Sequence, residues 1–416
     1  MMSKMKKIFL AVLVAVCFAV PQLPAQQPVA AKYVDQDGFT YAIRDCGYML
    51  SWIEEVYKVG TAKLASDPKF VIFDKVIREL WKECNASQWG YAAISGKEVS
   101  PDFYSIKQFG ELPAAKRTGW LWKLSPNSRT VPFVDVMPKH TLVGFGCNFN
   151  GAALVAMVDH YVAKFGDQQI KDGYAGFLAQ GQEQGVDVKK ILASIEGLSF
   201  AVEADPARLV MPGFSSASLI LAVKDRSLMD AVLQIAKTEN PGLVTAASEI
   251  LIPTEYGAVA IFQVGKYFVA TTDPAGVKNV IAGKAPSLKQ NPDYIRYSAG
   301  TPAAGIGFMF ISSELGKTVL PAYLPLIPAE VTQKVDVNAL CKVIGIGPAV
   351  YSVYYMNQDG YGTITNTGSK GLAIFCSDSS MGMAASYQIM ALLGCYPDLL
   401  YTDDFQETDD FQEVTE

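Results

Sequence analysis

The residues of this chain with the widest chemical repertoire are seven cysteines and two histidines, and their spacing speaks for structure more than for catalysis. His140 and His160 stand 20 residues apart with no HExxH pair, and no two cysteines stand at CxxC spacing, so a histidine-based zinc site is not expected. His160 lies on the helix face opposite Leu154, Val158 and Phe165 and reads as a solvated surface residue. His140 sits in a loop before a strand and reads as structural. A serine nucleophile elbow needs GxSxG, and Gly213-Phe214-Ser215-Ser216-Ala217 lacks the second glycine required by the tight turn. Ser66-Asp67-Pro68-Lys69 matches SxxK in form only, since its proline, its loop position and the missing KTG partner remove the context. Gly305-Ile306-Gly307 and Gly345-Ile346-Gly347 lack the third glycine of a dinucleotide loop, and close backbone packing beside strands explains them better. No catalytic, cofactor-binding or metal-binding residue is assigned.

Paired carboxylates stay open, because proximity in space is not encoded in spacing. Glu54-Glu55 falls on a helix and is expected to face solvent. A glycosidase would need two carboxylates about 5–10 Å apart in a cleft lined with aromatics. Trp81, Trp89, Trp120 and Trp122 supply aromatics, for which a core or domain-junction role is the simpler reading. Asn85-Ala86-Ser87 is a formal glycosylation sequon, relevant only in a eukaryotic secretory route.

Two cysteines gain meaning from the elements that carry them. Phe39, Ile43, Cys46, Leu50, Ile53 and Tyr57 recur at helical steps over 39–59, and Phe73, Val76, Ile77, Leu80, Trp81 and Cys84 do so over 69–86. The short join through Asp67-Pro68 predicts an antiparallel helical hairpin over 33–90. Cys46 lies 13 residues before position 59 and Cys84 lies 15 after position 69, depths that agree within about one 5.4 Å helical turn. In an oxidising compartment these depths permit a Cys46–Cys84 disulfide; the equal alternative is two buried free thiols.

Beyond an irregular, proline-spaced connector over 91–135, the pattern changes to mixed α and β. Thr141–Asn150 alternates, with Val143, Phe145, Cys147 and Phe149 on one face, which makes Cys147 a small core residue. Helices are expected over 151–165 and 187–196, a strand over 198–203, and a strand buried on both faces over Leu219–Val223. A helix through Leu228, Val232 and Ile235 follows. Two strands turn about Val264-Gly265-Lys266, and Asp273-Pro274 opens a helix to about 282. A second round begins near Pro302 with strand 304–311 and helix 313–319. Asp336-Val337 opens a short helix as Asp187-Val188 does, and strands are expected around 348–356, 361–365 and 371–376. The reading is α+β: the helical hairpin followed by two related sheet-plus-helix units with mainly antiparallel strands, at 136–295 and 296–397.

The start of the chain predicts where it goes. Lys4, Lys6 and Lys7 precede thirteen apolar residues from Ile8 to Val20 and then Pro-Gln-Leu-Pro-Ala, the order of a signal peptide over 1–25. Cys17 follows Val16 and not a small residue, which argues against a lipid anchor. Half of the residues are apolar and 18% charged, enough for well-buried cores. Without the leader lysines, 32 basic residues face 41 acidic ones, and seven of the acids fall in 402–416. The folded body is therefore nearly neutral and offers no basic field for nucleic acid. The tail over 398–416 holds an identical repeat, Thr-Asp-Asp-Phe-Gln-Glu at 402–407 and 408–413. It is expected to be disordered and solubilising; the sharper alternative uses Phe405 and Phe411 as anchors for a partner.

Several stretches resemble one group of exported bacterial proteins of unknown function: Gly119-Trp120-Leu121-Trp122-Lys123, Met137-Pro138-Lys139-His140-Thr141-Leu142-Val143, Leu192-Ala193-Ser194-Ile195-Glu196-Gly197, Ile252-Pro253, and Gly265-Lys266-Tyr267-Phe268-Val269-Ala270-Thr271-Thr272. They span roughly 119–310. The group more often carries an acidic residue at the position of His140. The resemblance implies export and a duplicated α+β body, and it brings no ligand or activity.

The expected role is therefore an exported, non-catalytic envelope protein that binds or scaffolds, with no cofactor. Its partner would be an envelope protein or a lipophilic ligand, and it would meet a membrane only if the leader stays uncleaved. A periplasmic carrier of a lipophilic ligand is the first alternative and predicts an apolar cavity of about 300–1,000 Å³. A carboxylate-dependent hydrolase is the second and predicts clustered acids in a cleft.

Overall fold

The structure, a computed structural model, describes residues 27–66, 68–126, 130–204, 215–245, 249–254, 257–319, 336, 339 and 348–374. The leader with Cys17 and the acidic tail with Phe405 and Phe411 lie outside these residues. Among these residues twelve strands form one sheet: β1 (Thr40–Asp45), β2 (Tyr91–Ser100), β3 (Phe103–Glu111), β4 (Thr141–Asn148), β5 (Ile195–Glu203), β6 (Ser216–Val223), β7 (Ile250–Thr254), β8 (Gly257–Val264), β9 (Tyr267–Thr271), β10 (Gly307–Ile311), β11 (Val350–Met356) and β12 (Gly360–Thr367). Their order is β1-β2-β3-β12-β11-β10-β4-β5-β6-β9-β8-β7, and every neighbouring pair is antiparallel. Counted outward from the central β4–β10 pair, one half reads 4-5-6-9-8-7 and the other 10-11-12-3-2-1.

The described residues include the α-helices α1 (Cys46–Thr61), α2 (Pro68–Glu83), α3 (Trp120–Leu124), α4 (Gly151–Phe165), α5 (Gln168–Glu183), α6 (Val188–Ser194), α7 (Ser227–Glu239), α8 (Pro274–Ile281) and α9 (Pro292–Tyr297). Short side chains accept from the first turns, as their preference for N-caps dictates: Asp45 from Tyr48 N (2.8 Å), Asn150 from Ala153 N (3.1 Å) and Asp187 from Lys190 N (3.0 Å).

The main core lies on one face of the sheet. Phe308, Phe310 and Tyr351 are fully buried there against Phe133, Met137, Val277 and Leu288. On the opposite face, Met229 and Leu233 of α7 cover Val223 and Phe268.

The α+β class and the antiparallel pairing agree with the sequence reading, but several elements differ. Residues 40–45, read as the first turns of a helix, pair with β2 as a strand; the helix begins only after Asp45 caps it. The supposed irregular connector contains β2 and β3, and β3 pairs with β12 far along the chain. Its prolines stand outside these strands, so they bound the elements without breaking them. Residues 370–374 are helical where a strand was expected. Ser369 Oγ accepts from Leu372 N at 3.1 Å, a capping bond that decides a short apolar run which suits either state. Helix α5 had no expected counterpart. Residues 315–319 form a π-helical turn. The short helix expected at 336 lies mostly outside the described residues, although Asp336 accepts from Ala339 N at 2.9 Å.

The faces of β4 are also exchanged relative to expectation. Leu142, Gly144 and Gly146 are buried, whereas Phe145 is 37% exposed and Cys147 half-buried. The glycines conceal the core face from a reading of apolar alternation, because neighbours supply the side chains above them. A Cβ on Gly146 would stand 2.8 Å from Phe308 Cε1. Leu219, expected to be buried with the rest of β6, is likewise 37% exposed.

Candidate functional site

A cavity of about 640 Å³ lies between α1, α2, α3 and the ends of β11 and β12. Helix α1 contributes Cys46, Met49 and Leu50, and α2 with the residue after it contributes Ile77, Leu80, Trp81 and Cys84. These fall at steps of three and four, so each helix presents one apolar stripe. Further along, Ile53 and Tyr57 pack with Phe70, Ile77 and Trp81 and join the two helices beside the cavity. Leu80 is 44% exposed and marks the mouth. On the sheet side stand Ile306 and the register partners Met356 and Tyr361.

The end of α2 shapes the remaining wall. Asn85 takes a left-handed conformation (φ 53°) and stops the helix, a conformation that Asn tolerates better than most residues. The chain then turns through Ala86 to Trp89. Trp89 donates its indole N–H to Cys84 O at 3.0 Å, and Trp122 donates to Asn85 Oδ1 at 2.7 Å. The two rings sit 6.2 Å apart at 51°. Both indole donors are thus taken by protein acceptors, and the rings offer carbon to the cavity.

Of the fourteen lining residues, only Tyr361 and Ser125 carry hydroxyls, and none carries a charge. Burial pushes the Tyr361 hydroxyl up to about 12, so it stays a neutral donor. Burial raises both thiols as well. Cys46 goes to about 11, with the Asp45 carboxylate adding to the rise, and Cys84 rises with the help of Glu83. Neither is a thiolate nucleophile near neutral pH. Cys46 and Cys84 share the cavity wall, and both are free thiols.

The other residues singled out from sequence stand elsewhere. Cys147 is a free, half-buried thiol in β4. His140 is exposed. The His160 side chain is 40% exposed, with its Nε2 3.9 Å from Glu79 Oε1 and its ring 6.1 Å from that of Trp120. Glu79 also pairs with Lys164 at 2.6 Å, and this contact holds its carboxyl below the usual range. Glu54 pairs with Lys58 at 2.8 Å on the surface, and Glu55 is exposed. The sequon residue Asn85 is buried and bonded, so its amide is closed to glycosylation. Trp81, Trp89 and Trp122 line the cavity, while Trp120 packs on His160. Sequence reasoning noted these aromatics but missed Met356, Tyr361 and Ile306, which carry no local signal. No cluster of three or more His, Cys, Asp or Glu side chains is placed to hold a metal among the described residues, and no helix among them is long and apolar enough to cross a membrane. No protein-family model, curated protein or solved structure matches this chain.

Proposed function

We propose that this chain is an exported binding protein that carries a lipophilic ligand in the cavity beneath α1 and α2. The observation behind this reading is the cavity itself: about 640 Å³, walled by aromatic, aliphatic and sulfur-bearing side chains with two hydroxyls. That volume sits in the range of small-molecule sites, which are mostly apolar with few polar groups. The absence of acidic residues from its lining leaves it without the carboxylate pair a hydrolase would use there. Export rests on the basic–apolar–small order of residues 1–25 and is supported by the resemblance to exported bacterial proteins.

Two finer features of the fold belong to the same proposal. Helices α1 and α2 form a hairpin that roofs the cavity, supported by the packing of Tyr57 and Ile53 on Phe70 and Trp81. The body is a duplication in which one half is assembled from both ends of the chain. The mirrored strand orders 4-5-6-9-8-7 and 10-11-12-3-2-1 support it, as do the matching capping bonds of Asp187 and Asp336.

The test is native mass spectrometry of the exported protein purified without detergent. A bound apolar species, released by organic extraction and absent from a folded Ala86→Phe variant, is expected. Protein that carries no adduct and takes none up from an extract of its own cells would end the carrier reading in favour of scaffolding.

A further inference from the structure

We infer that the cavity selects an uncharged, ring-bearing lipophile and rejects anionic lipids such as fatty acids, an inference that rests on the carrier reading above. A fatty-acid or phosphate head needs a cation or several free N–H donors where it is buried, because an unpaired buried charge carries a large desolvation penalty. No Lys, Arg or His lines this cavity. The indole N–H groups of Trp89 and Trp122 are already bonded to Cys84 O and Asn85 Oδ1.

Carboxylates stand beside the two lining thiols. Glu83 follows directly on Lys82 in the wall helix, is buried to 8% exposure and accepts from Trp120 N. Its carboxylate is felt at the Cys84 thiol, and those of Asp45 and Glu111 at Cys46, with Arg44 opposing. A cationic head fares no better, since no acid reaches into the lining to meet it. What the walls do offer is ring faces at Trp81, Trp89 and Trp122 for stacking, sulfur at Met49 and Met356, and the Tyr361 and Ser125 hydroxyls for one carbonyl or hydroxyl of a neutral ligand.

A matched probe pair tests this on the full-length protein at pH 7: N-phenyl-1-naphthylamine, which is neutral, and 8-anilinonaphthalene-1-sulfonate, which adds one sulfonate to the same rings. Energy transfer from the cavity tryptophans reports occupancy. The neutral probe is expected to bind at least about 100-fold more tightly, the scale set by an uncompensated buried charge. Ser125→Arg, which adds a cation to the lining, should tighten the sulfonate relative to the neutral probe by at least about tenfold. Ala86→Phe, or Leu80→Trp should the first not fold by circular dichroism, should abolish binding of the neutral probe. If the sulfonate binds wild type within tenfold of the neutral probe and the blocking variant removes both, the neutral-ligand inference fails and the carrier reading stands. If the neutral probe does not bind, or binds the folded blocking variant unchanged, the carrier reading itself falls.

Discussion

Trp122 donates its indole N–H to Asn85 Oδ1 at 2.7 Å across 37 residues of sequence, and this bond ties one wall of the cavity to the end of α2. Asn85 serves two purposes at once. Its backbone takes the left-handed turn that stops the helix, and its side chain also donates to Thr118 Oγ1 at 3.1 Å.

The two purposes separate by substitution. Asn85→Gly keeps the turn and loses the side-chain bonds, leaving a half-buried indole donor unpaired, at a cost of about 1–3 kcal/mol. Asn85→Ala loses the same bonds and adds about 1–2 kcal/mol for a Cβ in the left-handed region. Urea unfolding should therefore rank wild type above Gly and Gly above Ala. Equal losses for the two variants would show that the backbone conformation contributes nothing.

Cys46 gives a pH dependence with a defined sign. Its folded-state pKa, about 11, exceeds the reference value of 9.0 because burial disfavours the thiolate. The unfolded chain then loses a proton first as pH rises. The contribution of Cys46 is fully present below pH 9 and drains away between about pH 9 and 11, amounting to roughly 2–3 kcal/mol at about 1.4 kcal/mol per pH unit. The difference in unfolding free energy between wild type and Cys46→Ala should shrink over that window under reducing conditions, and a difference constant from pH 8 to 11 would contradict it. Free thiols at Cys46 and Cys84 predict that both alkylate when the unreduced protein is unfolded. Recovery of a Cys46–Cys84 peptide pair would instead establish the pairing suggested by their spacing and remove the pH effect.

Strong local signals told the truth and weak ones misled for identifiable reasons. Asp273-Pro274 and Val264-Gly265-Lys266 place a helix start and a hairpin turn correctly, since capping and turn chemistry are local. The three tryptophans of the cavity are visible as aromatics, but their convergence is not, because Trp89 is held by a bond to Cys84 O and Trp122 by a bond to Asn85 Oδ1, not by any periodicity. Met356 and Tyr361 face one another across the β11–β12 turn, but nothing in that segment announces that it meets α1 and α2 at the cavity. In β4 two of the three apolar core-face positions are Gly144 and Gly146, so a pattern built on side chains points to the wrong face.

That last feature is testable by a pair of identical changes. In Gly146→Ala the new Cβ stands 2.8 Å from Phe308 Cε1 and 3.2 Å from Pro132 O, and overpacking of this kind costs about 1–3 kcal/mol. In Gly173→Ala, within α5, the Cβ meets nothing within 4 Å, and the gain in helix propensity is about 1 kcal/mol. Thermal unfolding should move down for the first and up for the second. The same direction for both would mean that the β4 glycines are not packing devices.

The order of the sheet makes its ends interdependent. Strand β12 pairs along its length with β3, from Gly360↔Glu111 to Thr367↔Tyr104. The turn between β11 and β12 is clasped by the N-terminal segment: Tyr33 Oη donates to Asp359 Oδ2 at 2.6 Å, and the Arg117 guanidinium donates to Leu112 O, Gly360 O and Asn357 O. Tyr33 also stacks on Phe109 at 3.9 Å. A chain lacking residues 27–126 therefore exposes a full strand edge and part of a core, a combination that invites aggregation. Expressed alone, 130–374 should be insoluble or should unfold without cooperativity, and co-expression with 27–126 should restore a soluble complex. A monomeric 130–374 that unfolds cooperatively would mean that the N-terminal strands are an accessory layer, and the two halves of the sheet would then not be equivalent.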